Sequence, residues 1–230
     1  MTCNRNLRWY ELIPVLSFLI QKGKCRRCAS KISHQYPLVE LVTGLVFTLI
    51  SFKFLPIIDV SFWLYFLTTV VFVFIFSLLI VISVYDLRHK IIPDKLVFLF
   101  IFISFVSIFI NYSGVGSIFT YPTLINFISG PLLSLPFVLL WLLSRGKFMG
   151  LGDGKLILGI GWMLGLFAGL GAVILSFWIG TVVSLSIMYL SKKKMNMKTE
   201  IPFAPFLIAS TLITFLFNLD IFSLSKLFSV

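Results

Sequence analysis

Between residues 37 and 219 the chain alternates long apolar runs with short breaks of charged residues, proline or glycine. Seven runs reach or approach the roughly 17–25 residues that cross a bilayer as a helix. They cover 37–55, 61–85, 95–111, 122–143, 155–169, 171–190 and 203–219. Pro56 and Asp59 close the first run, and Arg88-His89-Lys90 with Pro93 closes the second. The 155–169 run is short and glycine-rich, which predicts a tilted or partly re-entrant helix. Every run is apolar on all faces, so no helical period marks an inner side. The pattern predicts an all-α fold: a polytopic membrane helix bundle of about seven transmembrane helices over residues 37–230. Residues 1–36 form a separate, small, polar and basic segment. They hold no apolar stretch ahead of a small-residue cleavage site, so this is not a cleavable signal peptide.

Composition agrees. Of 230 residues, 59% are hydrophobic and 12% charged, half of the roughly 25% charge of a soluble domain. The net charge of +11 would suit nucleic acid, but its placement points to the bilayer instead. Basic residues cluster in the breaks, as cytoplasmic loops do under the positive-inside rule. With residues 1–36 in the cytoplasm, seven Lys and Arg precede the first span. Arg88, Lys90 and Lys95 flank Asp86, and Arg145, Lys147 and Lys155 flank Asp153. Lys192, Lys193, Lys194 and Lys198 follow residue 190, so 17 of 19 basic residues face inward, leaving Lys53 and Lys226 outside. The expected location is a cytoplasmic membrane, multi-pass, with the N-terminal segment cytoplasmic. No nucleic-acid partner is expected.

This threading bears on chemistry. Asp86 closes an apolar run and Asp153 stands in Gly150-Leu151-Gly152-Asp153-Gly154. Both fall at cytoplasmic ends of their segments, so they can meet at one membrane depth. Ionisable residues at a membrane edge are costly and are functional candidates. Two carboxylates held close cannot both ionise. One keeps a proton, the other stays anionic and can activate water, which is what peptide hydrolysis needs. Gly150 and Gly152 would let a substrate backbone approach Asp153 and make positive φ available. For either aspartate alone, a helix-end acid with a basic neighbour is the plainer alternative.

Tyr85-Asp86-Leu87-Arg88-His89-Lys90-Ile91-Ile92-Pro93-Asp94, with Gly150-Leu151-Gly152-Asp153-Gly154-Lys155-Leu156, resembles the bacterial type IV prepilin peptidase family. Arg8 to Ser17 and Tyr36 to Gly44 are similar to its N-terminal region, and Ile201-Pro202-Phe203-Ala204-Pro205-Phe206 to its entry into the last helix. The resemblance implies an aspartic endopeptidase with Asp86 and Asp153 as the catalytic pair and no cofactor for cleavage. Gly150, Gly152 and Lys155 would form the active-site loop. Lys155 is read as a positive-inside anchor or a holder of a substrate or lipid group, and Asp94 as a helix N-terminal acid. The implied partners are prepilin or pseudopilin membrane substrates with a basic leader, cut after a leader glycine before a Phe- or Met-like residue. Gly159, Gly161 and Gly165 are expected to let the substrate helix pack closely.

The resemblance also implies S-adenosylmethionine-dependent N-methylation tied to residues 1–36, with Glu40 associated with it. Glu40 has a helix N-terminal acid as its alternative. Cys25-Arg26-Arg27-Cys28 has a spacing that lets two thiolates hold one zinc. Cys3 matches one member of the family's upstream pair, and His34 is a candidate fourth ligand. Three cysteines on a basic, cytosolic segment read as free thiols or a metal site, not a disulfide framework. Set against the family's eight helices, the chain is expected to be shortened at its start. Trp9 and Tyr10 fit an interfacial anchor. The alternatives kept are a peptidase-only relative and an ion or proton transporter with paired acids. The transporter reading predicts acids near mid-bilayer and symmetric halves.

Overall fold

The computed structural model describes residues 8–26, 28–110, 120–147, 149–190 and 202–226. Cys3 and the side chains of Trp9 and Tyr10 lie outside the description. Each of the seven predicted runs is a helix: α2 (Gln35–Phe54), α3 (Phe62–His89), α4 (Asp94–Ser107), α5 (Leu124–Ser144), α6 (Leu151–Leu164), α7 (Leu166–Leu190) and α8 (Ala204–Phe217). A short α1 (Leu16–Ile20) precedes them and α9 (Ile221–Lys226) follows. Four of the seven, α2 with its 3₁₀ extension to Asp59, α3, α5 and α7, are long and apolar enough to cross a membrane. The other three, α4, α6 and α8, have 14 residues each. At 1.5 Å per residue that is about 21 Å, short of the roughly 30 Å hydrocarbon core.

Boundaries depart from the expectation at both aspartates, and the break between the 155–169 and 171–190 runs falls at Gly165. The helix carrying Asp86 does not stop at residue 85. A single aspartate does not break a helix, and α3 ends only where Lys90 turns left-handed, with φ 53°. Likewise α6 begins at Leu151, so Asp153 sits in its first turn and not in a loop ahead of it. At its other end α6 stops at Gly165, whose φ of +81° is open to glycine without strain, and the chain turns directly into α7. The glycine-rich run is therefore a short helix hairpinned onto its successor.

The chain divides into two compact units, residues 1–52 and 53–230. In the first, an isolated bridge between Lys24 and Lys31 closes a loop around Cys25 and Cys28. Val15 has φ 59°, and its backbone N–H donates to the Glu40 carboxylate at 2.7 Å. His34 packs edge-on against Phe18.

In the second unit α6 is the hub, packing on α4, α5, α7 and α8, while α3 packs on α4 and α8. Glycines permit this crowding. A Cβ at Gly159 would come 2.4 Å from the Phe100 ring of α4, and one at Gly161 would come 2.7 Å from the Gly130 Cα of α5. These glycines face neighbouring helices of the protein itself, so the expected role of Gly159 and Gly161 in seating a substrate helix is corrected to internal packing. Gly165 has nothing within 4 Å of a built Cβ and serves the turn. The same α5–α6 seam resolves a backbone problem. Pro131 lacks the N–H that would satisfy the Phe127 carbonyl one turn earlier, and an apolar medium offers no water in its place. The Trp162 indole N–H of α6 donates to that carbonyl at 2.9 Å.

Gly161→Ala should lower stability by about 1–3 kcal/mol, because its new methyl meets backbone that cannot rotate away. Gly44→Ala, with open space around the added carbon, should be neutral or slightly stabilising. Thermal unfolding in detergent compares the two.

Candidate active site

The last turn of α3, the loop 90–93, the first turn of α6 and the entry to α8 enclose one cavity of about 640 Å³. Asp86 and Asp153 both line it, and both are largely buried, at 5% and 8% exposure. Residues from α3 and α6 that are 67 positions apart in sequence thus share one chamber.

Their surroundings differ. Asp86 lies against the backbone N–H of Ala204, the first residue of α8. Helix N-termini leave such N–H groups unsatisfied, and their dipole favours an anion. Pro205 has no N–H of its own, which leaves the Ala204 N–H prominent at this end. Asp153 occupies the third position of α6, after Gly150 at the N-cap. Its Oδ1 is buried without a hydrogen-bond partner among the described residues. A buried acceptor left unpaired is costly, and such exceptions in folded proteins call for an explanation such as catalysis. An orphaned carboxylate oxygen facing a chamber with a second carboxylate is suited to hold and pass a proton.

The two active-site glycines do different work from each other. A Cβ on Gly150 would make only ordinary contacts, with Asp153 Oδ2 at 3.8 Å and the Gly152 nitrogen at 3.9 Å. An added methyl there is accommodated without displacing Asp153. Gly152 instead faces Ile92, whose Cβ would lie 2.9 Å from an added methyl. The expected use of positive φ is also corrected: Gly150 has φ −72° and Gly152 is helical. Tight packing against the loop after Asp86, not backbone freedom, explains Gly152.

Lys155 pairs with Asp94 at 2.7 Å, in place of the free membrane anchor expected for it. Asp94 opens α4 as predicted. Lys90 and Lys147 also line the chamber, as do Ile92, Met149, Pro202 and Phe203. Sequence reasoning missed the last four and the Ala204 N–H. Of these only the proline-bracketed entry to α8 carried a signal, since prolines at 202 and 205 frame a helix start beside a candidate acid.

The zinc expectation does not fit the described residues. Among them no group of three His, Cys, Asp or Glu side chains could hold a metal ion. Cys25 is half-buried and Cys28 exposed, and Cys28 Sγ lies 3.1 Å from Ser30 Oγ. His34 is engaged with Phe18, and Cys3 lies outside the description. Glu40, expected to be associated with methylation, braces the N-terminal segment through Val15.

Comparison with known proteins gives a family for the chain. Residues 73–185 match the model of the type IV leader peptidase family, and residues 1–54 match that of the bacterial peptidase A24 N-terminal domain. A prepilin leader peptidase/N-methyltransferase of Bacillus subtilis is 32% identical over 223 residues, which are 96% of this chain and 82% of that protein. A protein of the same description from Dichelobacter nodosus is 30% identical over 95% of this chain and 70% of its own length. Another from Xanthomonas campestris is 32% identical over 94% and 70%. No solved structure matches.

Gly152→Ala should push the first turn of α6 away from Ile92 and lower the thermal midpoint by several degrees, about what a 1–3 kcal/mol overpacking cost implies. Gly150→Ala should leave the midpoint unchanged. Parallel melts of the two purified variants in one detergent give the answer.

Proposed function

The chain belongs to the type IV leader peptidase family, and on that footing we propose that Asp86 and Asp153 form the aspartic dyad that removes the leader from prepilin-like membrane substrates. The protein is an aspartic endopeptidase of the membrane. The observation that carries the residue assignment is two buried carboxylates from different helices facing one chamber.

In this reading the pair holds a single proton. The ionised carboxylate takes a proton from a water molecule as its oxygen attacks the scissile carbonyl. The protonated carboxyl hydrogen-bonds to, and then protonates, the carbonyl oxygen, giving a neutral tetrahedral diol. Collapse of the diol breaks the C–N bond: the departing amine takes the proton held by the first carboxyl, while one diol hydroxyl gives its proton to the second carboxylate as it becomes the product carboxylic acid's carbonyl. The pair is left sharing one proton, as at the start. The flank beside Gly150 is where the extended substrate backbone would lie against Asp153.

Charge placement supports an orientation with residues 1–36 and the dyad on the cytoplasmic side of a bacterial inner membrane. Lys90 and Lys147 at the chamber give a basic leader no electrostatic attraction, so selection rests on shape. The relatives' descriptions also carry N-methyl transfer. Under this proposal that activity, with S-adenosylmethionine as the donor, would belong to the N-terminal segment. No step is assigned to Glu40, because its carboxylate holds the Val15 N–H.

Asp86→Asn and Asp153→Asn keep size and shape while removing the shared proton. Each should lower prepilin cleavage in liposomes by about a thousandfold or more, as loss of one member of a catalytic unit does, with thermal stability retained. Variants that cut as fast as the parent would reject the dyad. Orientation has its own check: a membrane-impermeant maleimide should label exposed Cys28 in inside-out vesicles and leave it unlabelled in intact cells. The reverse labelling would invert the topology.

A further inference from the structure

We propose that the Asp94–Lys155 ion pair is a positioning device that fixes the register of Asp153 against Asp86. The proposal rests on the peptidase reading above. Lys155 Nζ donates to Asp94 Oδ1 at 2.7 Å and lies 5.1 Å from the centroid of the Phe98 ring. Asp94 and Phe98 are four residues apart on α4 and share one face. A single ammonium from α6 is therefore held at two points on α4.

The sequence positions give this contact its meaning. Lys155 is two residues beyond Asp153 on α6, and Asp94 is eight beyond Asp86. Between Asp86 and Asp94 the path is short and constrained. The Lys90 N–H donates to the Asp86 carbonyl at 2.8 Å, Lys90 is left-handed, and Pro93 has a fixed φ ahead of α4. Ile92 on this path presses on Gly152. The loop after one aspartate thus grips the helix of the other on both sides of Asp153, through Ile92 on Gly152 and Asp94 on Lys155.

Stability is a poor explanation for the pair. The Asp94 side chain is 62% exposed, and an exposed ion pair contributes little to folding because solvent screens it. What it does supply is direction. Lys155, only 24% exposed, is pinned to one azimuth, and the rigid first turn of α6 carries that constraint to Asp153. Lys155 and Asp94 are positioning residues and make no contact with reacting atoms in this scheme. Loss of the pair should misplace the dyad without altering how substrate binds, since misplacement of reacting groups by an ångström is costly to rate.

The test compares Asp94→Asn, Lys155→Met and the reversed pair Asp94→Lys/Lys155→Asp with the parent, using prepilin cleavage in proteoliposomes. Each single variant should lose about tenfold in kcat with KM within about twofold, and the reversed pair should return to within about threefold of the parent, as coupled residues do in a mutant cycle. Parental kcat in both single variants, or a reversed pair as poor as the product of the two losses, would overturn the proposal. A second readout needs no activity. With Cys3, Cys25 and Cys28 replaced by serine, Ile92→Cys, which leaves Gly152 in place, should react slowly with a maleimide, and Lys155→Met should speed that labelling severalfold. Labelling indifferent to Lys155 would show that the loop is not held this way. A chain that cuts no prepilin yet shows the Lys155-dependent labelling would instead reject the peptidase reading and leave the register intact.

Discussion

The chamber that holds Asp86 and Asp153 depends on how closely α6 can approach its neighbours. The helix is short, central and built of small residues where it meets α4 and α5, and those contacts leave no room for a Cβ at Gly159 or Gly161. Close packing of backbones is the main attraction available between helices in lipid, where apolar burial gives no advantage over the acyl chains. A helix seated this tightly has little freedom to slide or rotate. That rigidity is what a two-carboxylate site on two different helices requires, because neither backbone segment can correct an error in the other.

The apolar medium sets the second rule, that each polar group must find its partner inside the protein. The Phe127 carbonyl released by Pro131 is met by Trp162. Lys53, one of the two basic residues left on the far side by the charge threading, also has a structural reason to be there. Its ammonium reaches the Leu216 carbonyl at 3.3 Å and Asn218 Oδ1 at 2.9 Å, and it stands over the Phe215 ring. It thereby caps the C-terminal carbonyls of α8, where a cation is favoured. Asp153 Oδ1 is unpaired among the described residues, as are the Thr69, Ser104 and Thr214 hydroxyls, but of these four residues only Asp153 lines the chamber with Asp86.

Asp86 and Ala204 show how a third helix enters the site. The N-terminus of α8 brings the Ala204 N–H to Asp86, while Asp153 sits in the first turn of its own helix with Oδ1 unpaired among the described residues. An environment of this kind lets two identical side chains behave differently. It also ties the catalytic geometry to the prolines at 202 and 205, which determine where α8 begins.

The apolar runs by themselves determined the class of the fold, because segments so apolar have no stable alternative to helix in a bilayer; which of them are long enough to cross they did not settle, since three of the helices have only 14 residues. The two aspartates were legible for the same reason: a carboxylate at the edge of such a run is expensive enough to demand an explanation. Their shared depth followed from charge placement before any coordinates. What the sequence left undecided were rotations and partners. With every face of α6 apolar, nothing in the residue order says whether Gly159 and Gly161 meet a substrate or Phe100 and Gly130. Nothing local says that Gly152 is shaped by Ile92, or that Lys155 turns from the lipid to Asp94. Those outcomes depend on which helices lie beside one another and at what azimuth. They are properties of the assembled bundle, and only the tertiary structure decided them.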